Sequence, residues 1–186
     1  MSIIVAVEKD GKKCIAENSL TLEGSRIINE SSGYGVHKYR DSLIGVTGWV
    51  VYHNILASFA DAHDPMPMDN QLNVFKMMCK LWRFAKEELQ FVNDQGDNST
   101  QGPFADLDSN MIIANPHGIF RVFSDLGVDA VKRYTAIGSG QDYACGALSV
   151  LYDSGAPAVE IAKRATEVAT LWDQACPGEA RVLTVD

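Results

Sequence analysis

Ser2 carries the most chemistry near the start of the chain. A small second residue permits removal of the initiator methionine, and removal would put a hydroxyl and a free α-amine on one residue. An α-amine ordinarily titrates at about 7.7–8.0, so near working pH it can take the proton of its own hydroxyl without a histidine. Serine is common at position two, however, and the residue type alone does not separate a nucleophile from an ordinary serine. The surrounding elements must decide.

Other constellations are weighed against plainer roles. Gly138-Ser139-Gly140 falls between a strand and a helix, where a glycine-rich turn can cradle phosphate. The dinucleotide fingerprint wants Gly or Ala three residues later, and Tyr143 stands there. A G-x-S-x-G nucleophile elbow would need a residue on each side of the serine between the glycines. Asp61, His63 and Asp64 resemble metal ligands in print, but they close a helix ahead of Pro65 and Pro67, where polar side chains are ordinarily solvated. His37, His53 and His117 show no mutual spacing that suggests a shared site. The 4 cysteines, Cys14, Cys79, Cys145 and Cys176, lie far apart with no C-x-x-C pair, so buried free thiols are expected rather than a zinc knuckle or redox dithiol. No cofactor and no metal are expected.

The elements that must position these residues follow from periodicity and turn chemistry. Ser2–Glu8 is β-branched and apolar, Asp10-Gly11 is a two-residue turn signal, and Lys12–Asn18 is a second extended run, which together predict an antiparallel hairpin. Ser25–Glu30 reads as a third strand, and Gly33–Tyr39 with Ser42–Thr47 as a hairpin turning at Arg40-Asp41. Gly48 ends this run of five short strands. Trp49–Ala62 has helical spacing. From Asp69 as N-cap, the stripe Leu72, Phe75, Met78, Cys79, Trp82, Ala85 and Leu89 predicts a core-facing helix of more than about twenty residues. Asn93–Pro103 is polar and reads as an exposed loop.

Met111–Ala114 and Ile119–Phe123 flank the turn Asn115-Pro116-His117-Gly118, and Tyr134–Ile137 is one more strand. Helices over Gln141–Asp153 and Pro157–Gln174 are separated by Ser154-Gly155, the second with Val159, Ala162, Ala165, Val168, Ala169 and Trp172 on its inner face. Arg181–Val185 closes as a strand. Strands grouped by hairpins, then helices in pairs, predict α+β architecture: two mainly antiparallel sheets with helices outside. No repeat or compositional break divides residues 1–186, so a single domain is expected.

Composition narrows the function. Of 186 residues, 46% are hydrophobic and 22% charged, enough to bury a continuous core, which excludes a disordered tail protein. The net charge of −8, with no basic stripe, excludes nucleic acid and anionic membrane surfaces as expected partners. Leu43–Val46 and Met111–Ala114 are far shorter than the roughly 18–20 residues of a spanning helix, and Met1–Val7 lacks the parts of a signal peptide. A cytoplasmic location is expected.

With these elements in order, the chain resembles the proteasome β-subunit and HslV-type peptidase family of N-terminal-nucleophile hydrolases over nearly its whole length. The resemblance rests on Ser2-Ile3-Ile4-Val5-Ala6-Val7, Cys14-Ile15-Ala16-Glu17-Asn18-Ser19, Leu43-Ile44-Gly45-Val46-Thr47-Gly48, and Ala136-Ile137-Gly138-Ser139-Gly140 with Tyr143-Ala144. The helix Ile161–Ala169 also looks like the family's last one. It implies a four-layer αββα sandwich.

Carried over residue by residue, the resemblance puts the nucleophile on Ser2 after loss of Met1, with Ser in place of the family's usual Thr. The oxyanion amide falls on Gly48, the supporting serine on Ser139 and the supporting aspartate on Asp173, with Cys176 where a small hydroxyl residue is expected. Two positions depart from the pattern. The family's acidic residue on the second strand falls on Asn18, and its lysine on Gly33 or Tyr34, depending on the alignment through Asp41. The nearest lysine in sequence is Lys38. Loss of both partners is coherent, since stranding one member of a buried ion pair costs about 3–5 kcal/mol. Gly45 and its neighbours would line a substrate pocket.

The resemblance therefore implies a peptidase subunit that cleaves peptide or unfolded-protein substrates from Ser2 inside a self-assembled homo-oligomeric ring, with an unfoldase as a further partner. The alternative is a catalytically degenerate scaffold or binding subunit, motivated by Asn18 and the absent lysine. A small-molecule amidase using the same N-terminal chemistry is a third reading.

Overall fold

A computed structural model describes residues 2–23, 26–30, 35–90 and 107–185. The chain opens with β1 (Ile3–Lys9) and β2 (Lys12–Asn18), joined at Asp10 and Gly11, whose φ values of 52° and 74° give the double left-handed turn that suits a two-residue hairpin. The short ribbon β3 (Leu20–Glu23) and β4 (Arg26–Glu30) follows, then the hairpin β5 (Val36–Tyr39) and β6 (Ser42–Gly48). Helices α1 (Val51–Ala62) and α2 (Gln71–Glu87) precede β7 (Ser109–Asn115), β8 (Gly118–Val122), β9 (Val128–Val131) and β10 (Tyr134–Gly138). Then come α3 (Gln141–Leu151), α4 (Ala158–Trp172) and β11 (Ala180–Thr184).

The larger sheets run β10-β1-β2-β11 and β5-β6-β7-β8-β9, with every pairing antiparallel. Three apolar layers fix how they stack. Ile3, Val5 and Val7 of β1 pack with Ile161, Ala162 and Ala165 of α4. The intervening Ile4 and Ala6 point the other way, into a core shared with Ile15, Leu43, Ile112 and Ile119. Ile44 and Val46 on the outer face of the second sheet meet Ile55, Phe59, Met78 and Leu81 of α1 and α2. The result is the expected αββα order, α3/α4 over sheet over sheet over α1/α2. β1 is buried on both faces from Ile3 to Val7, which is why its sequence is an unbroken apolar run rather than an alternation.

Several elements differ from the sequence reading. The first sheet region holds six strands rather than five, because Leu20–Glu23 pairs with Arg26–Glu30 across a β-bulge. The middle region holds four, because Val128–Val131 adds an edge beside β8. Asn70, not Asp69, caps α2, its side chain accepting from the Asn73 amide at 3.0 Å, and the helix has 17 residues. Its buried stripe is Val74, Met77, Met78, Leu81, Phe84 and Ala85, whereas Leu72 and Phe75 face outward. A cap one residue later and apolar residues on more than one face shift the true inner stripe. α1 starts at Val51, leaving Trp49 exposed with its indole N–H donating to Asp108 Oδ2 at 2.6 Å. On α4, Val159 and Trp172 likewise face out, and Ile161 and Thr166 face in. The loop read over Asn93–Pro103 lies outside the described residues, as do Gly33 and Tyr34.

Candidate active site

Ser2 sits at the head of β1, where three elements converge on Gly138. Its carbonyl accepts from the Ser139 amide at 3.1 Å. Gly138 has φ of 105°, and a Cβ there would lie 2.0 Å from the Ser2 oxygen and 3.2 Å from Thr47 Cγ2. Only glycine allows this close approach, which brings the end of β6, the start of β1 and the end of β10 together. One residue further, the buried Ile3 amide donates to Asn18 Oδ1 at 2.9 Å. The Asn18 amide in turn donates to the carbonyls of Leu20 and Pro177, each at 2.9 Å. Asn18 thus locks the start of β1 to the end of β2, a task that needs both an acceptor and two donors.

Ser139, Cys176 and Asp173 form a chain beside Ser2. Cys176 Sγ donates to Asp173 Oδ2 at 3.2 Å, which leaves the sulfur to accept from Ser139 Oγ at 3.3 Å. Asp173 caps the C-terminus of α4, and its other oxygen accepts from the Ala175 amide at 2.9 Å. Burial alone would raise the Asp173 carboxyl, but the Ala175 amide, the Cys176 thiol and Ser139 outweigh it and hold the group below its ordinary range. Burial pushes the Cys176 thiol up to about 11, so it stays protonated as a donor. Gly140 is small for packing, since a Cβ there would lie 3.0 Å from Ala169 Cβ and 3.1 Å from Cys176 Sγ. Gly138 and Gly140 thus have structural reasons that owe nothing to phosphate.

Gly48 ends β6 opposite Ser109 and turns the chain into α1. Its φ is 117°, and a Cβ would stand 2.5 Å from Ser109 Oγ and 2.8 Å from the Asp108 carbonyl. Its neighbour Thr47 reaches Gly138, so Gly48 and Ser2 approach one another from the two sheets. The sequence-nominated Ser2, Gly48, Ser139 and Asp173 are therefore gathered at one end of the sandwich. Lys38 is exposed on β5, opposite Leu43 in register.

Two features escaped the sequence reading. Glu17 is 2% exposed, and among the described residues no side chain donates a well-formed hydrogen bond to its carboxylate, which is met by the backbone amides of Gly35 and Val36. Arg181 Nη1 lies 3.6 Å from Oε1, and Oε2 fills the space beside Gly35, where a Cβ would be 2.3 Å away. Burial raises the Glu17 carboxyl above its ordinary range, against the opposing pull of Arg181 and the facing amides of Gly35 and Val36. The signal was present in β2: Ile15 points between the sheets, so Glu17, two residues on, must do so too. The second feature corrects the expectation of unrelated histidines, because His37 Nε2 and His53 Nδ1 are in hydrogen-bond contact with ring centroids 4.4 Å apart. β5 and α1 bring them together, and His37 also lines a cavity of about 120 Å³ with Tyr39, Ile44, Leu56, Phe59 and Met77.

The remaining candidates have structural roles. His63 stacks on Phe59 at 4.5 Å and meets the Phe59 carbonyl at 3.1 Å. Among the described residues no group of three or more His, Cys, Asp or Glu side chains is placed to hold a metal ion. All four cysteines are free; Cys14 and Cys176 are buried as expected, whereas Cys79 is half-buried and Cys145 exposed. No described helix is long and apolar enough to cross a membrane.

No protein-family model matches the chain, and no curated protein matches it. Solved structures do. Thiobacillus denitrificans BPH superposes with a TM-score of 0.89 at 23% identity, covering 99% of this chain and 97% of that one. The same protein in complex with epoxomicin gives 0.88 at 23% identity, covering 99% and 98%. Eukaryotic HslV from Trypanosoma brucei gives 0.69 at 19% identity, covering 98% of each chain.

Proposed function

The chain carries the proteasome β-subunit/HslV-type sandwich fold, and on that premise we propose that it is a peptidase subunit whose nucleophile is Ser2 after removal of Met1. The observation that carries this reading is the seating of Ser2 on Gly138, with its carbonyl held by the Ser139 amide, at the head of the Ser139–Cys176–Asp173 chain. A glycine that admits the Ser2 carbonyl, followed at once by the serine that heads a hydrogen-bonded chain, fits a reacting terminus.

In this mechanism the Ser2 amine takes the hydroxyl proton as Oγ attacks the peptide carbonyl, and the carbonyl π pair moves onto oxygen. The Gly48 amide stabilises that oxyanion, a contribution of several kcal/mol when the donor is fixed beforehand. The ammonium then returns its proton to the leaving amine as the C–N bond breaks, giving an ester on Ser2 that water hydrolyses by the same steps reversed. Ser139, ordered through Cys176 by Asp173, fixes the amine beside its hydroxyl.

The same reading makes the chain a single 1–186 domain that assembles as a homo-oligomeric ring in the cytoplasm, takes peptide or unfolded protein, and works with an unfoldase. One structural neighbour binds epoxomicin, which supplies the probe. Intact mass should show a chain lighter by one methionine that gains one epoxomicin, with Ser2→Ala gaining none. A chain that keeps Met1 and ignores the probe overturns the peptidase reading in favour of a catalytically silent scaffold.

A further inference from the structure

Glu17 is the buried charge that the mechanism above leaves unused. β1 and β2 place it with respect to Ser2. Ile4 lies opposite Glu17, and Glu17 opposite Arg181, so these three form one row across β1, β2 and β11. Ile4 and Ile15 point between the sheets, whereas Ile3 and Ala16 point toward the helices. By the alternation along β1, Ser2, one residue before the strand, falls on the inter-sheet side with Glu17, two residues past the last ladder pair Ile4–Glu17.

A carboxylate so deeply buried, met only by Arg181 at 3.6 Å and by the facing Gly35 and Val36 amides, is costly, and a leucine would fill the space without that cost. The second sheet is nonetheless shaped around it, since Gly35 leaves room where any Cβ would collide with Oε2. Among the described residues, Arg181 from β11 faces it as a charge, Gly35 and Val36 from β5 face it with amides, and β1 presents Ile4. Arg181, which pairs at 3.6 Å and is itself 43% exposed, compensates only in part.

Resting on the Ser2 reading above, we propose that Glu17 is a positioning residue for the nucleophile: its carboxylate stabilises the ammonium that the Ser2 amine becomes on taking the hydroxyl proton, with Arg181 setting how strongly. The proton moves from Oγ to the amine nitrogen, and Glu17, whose carboxylate form Arg181 and the Gly35 and Val36 amides favour against its burial, exchanges no proton in the step.

The test has two independent readouts on the mature protein: the Ser2 amine pKa, from ¹⁵N chemical shifts across a pH series, and the rate of epoxomicin capture. In the wild-type chain the amine should titrate above the ordinary 7.7–8.0 range. Glu17→Gln should lower it by about one unit, the size expected for loss of one nearby opposite charge, and should slow capture. Arg181→Lys, a change at a half-exposed side chain that keeps a cation beside Glu17 but loosens the pairing, should move it upward. The Arg181 variant keeps the test decisive if Glu17→Gln fails to fold, because a merely structural ion pair would leave the amine pKa unmoved. Capture with an amine pKa unmoved in the variants overturns the role of Glu17 and leaves the nucleophile standing. A shifted amine without capture supports the coupling and overturns the peptidase reading. A chain that retains Met1 overturns both.

Discussion

The Ile3 amide and Asn18 Oδ1 are 2.9 Å apart in the core, so the residue after the proposed nucleophile is tied to the last residue of β2. The Asn18 side chain is saturated, accepting one bond and donating two. Asparagine rather than aspartate is required here because a carboxylate would face the Leu20 and Pro177 carbonyls with no protons to give. Asn18→Ala strands one buried and two partly buried backbone groups and should cost about 2–4 kcal/mol in urea unfolding. Asn18→Asp should also be less stable than wild type at pH 7, and the deficit should shrink on acidification, because protonating the carboxyl restores a donor. A deficit that does not change with pH would show that charge is not the cause.

Gly138 should tolerate no side chain. Gly138→Ala places a methyl 2.0 Å from the Ser2 carbonyl at a φ of 105°, so either β1 shifts or the Ser139–Ser2 bond is lost. The expected outcome is a loss of about 3 kcal/mol or more, above the usual range for one substitution, together with loss of epoxomicin capture. Gly146→Ala is the control, since nothing lies within 4 Å of its added Cβ; it should leave stability within about 0.5 kcal/mol of wild type or raise it.

Legibility in the sequence followed the strength of local signals. The β1–β2 hairpin was readable because Asp10-Gly11 dictates a turn and Ile3–Val7 is buried on both faces. Of the β3–β4 ribbon, β4 was readable as Ser25–Glu30, but β3 and its pairing were not, because the pairing carries a bulge and Ile27 is exposed, so no alternation marks the ribbon. The phase of α2 slipped because Leu72 and Phe75 are apolar yet outward, and periodicity counts apolarity, not direction. At the site, Ser2, Gly48, Ser139 and Asp173 came from the family resemblance; the inward direction of Glu17 lay in the alternation of β2, whereas the His37–His53 contact depends on the meeting of β5 and α1, which no local window contains.

Asp173 should impose an acid limb on stability. Its folded-state pKa lies below the ordinary value of 3.8, so its hydrogen bonds contribute fully above that value and are lost as pH falls through the lowered one. Urea midpoints of wild type should therefore drop below about pH 4 more steeply than those of Asp173→Asn. Equal slopes in the two proteins would rule out this contribution.

The thiols should differ in reactivity. Burial pushes Cys14 to about 12 and Cys176 to about 11 and raises Cys145 as well, but the first two are inaccessible whereas Cys145 is exposed. Because the thiolate is the nucleophile, native alkylation with iodoacetamide at pH 8 should mark Cys145 first and reach Cys14 and Cys176 only on unfolding. Peptide mass mapping against time reads the order. Early labelling of Cys176 would mean that the Ser139–Cys176–Asp173 chain opens in solution.

The His37–His53 contact should make the fold acid-sensitive in a defined window. Burial, and then the neighbouring His37, lowers His53 to about 4, and burial lowers His37 as well. A histidine depressed in the folded state is neutral there while the unfolded chain already binds a proton. Its contribution is therefore whole above the ordinary value of 6.5 and declines as pH falls from 6.5 toward 4. Two adjacent imidazoles cannot both ionise cheaply, so the pair resists protonation more than either ring alone. Stability measured at pH 7 and pH 5 should fall in the wild-type protein, and His53→Gln should flatten that decline because it removes one proton site and the repulsion with it. Since the pair lies on β5 and the first turn of α1, just past Gly48, the same acidification should slow epoxomicin capture more in wild type than in His53→Gln. A decline of equal size in the two proteins would show that the contact between the rings carries no part of it.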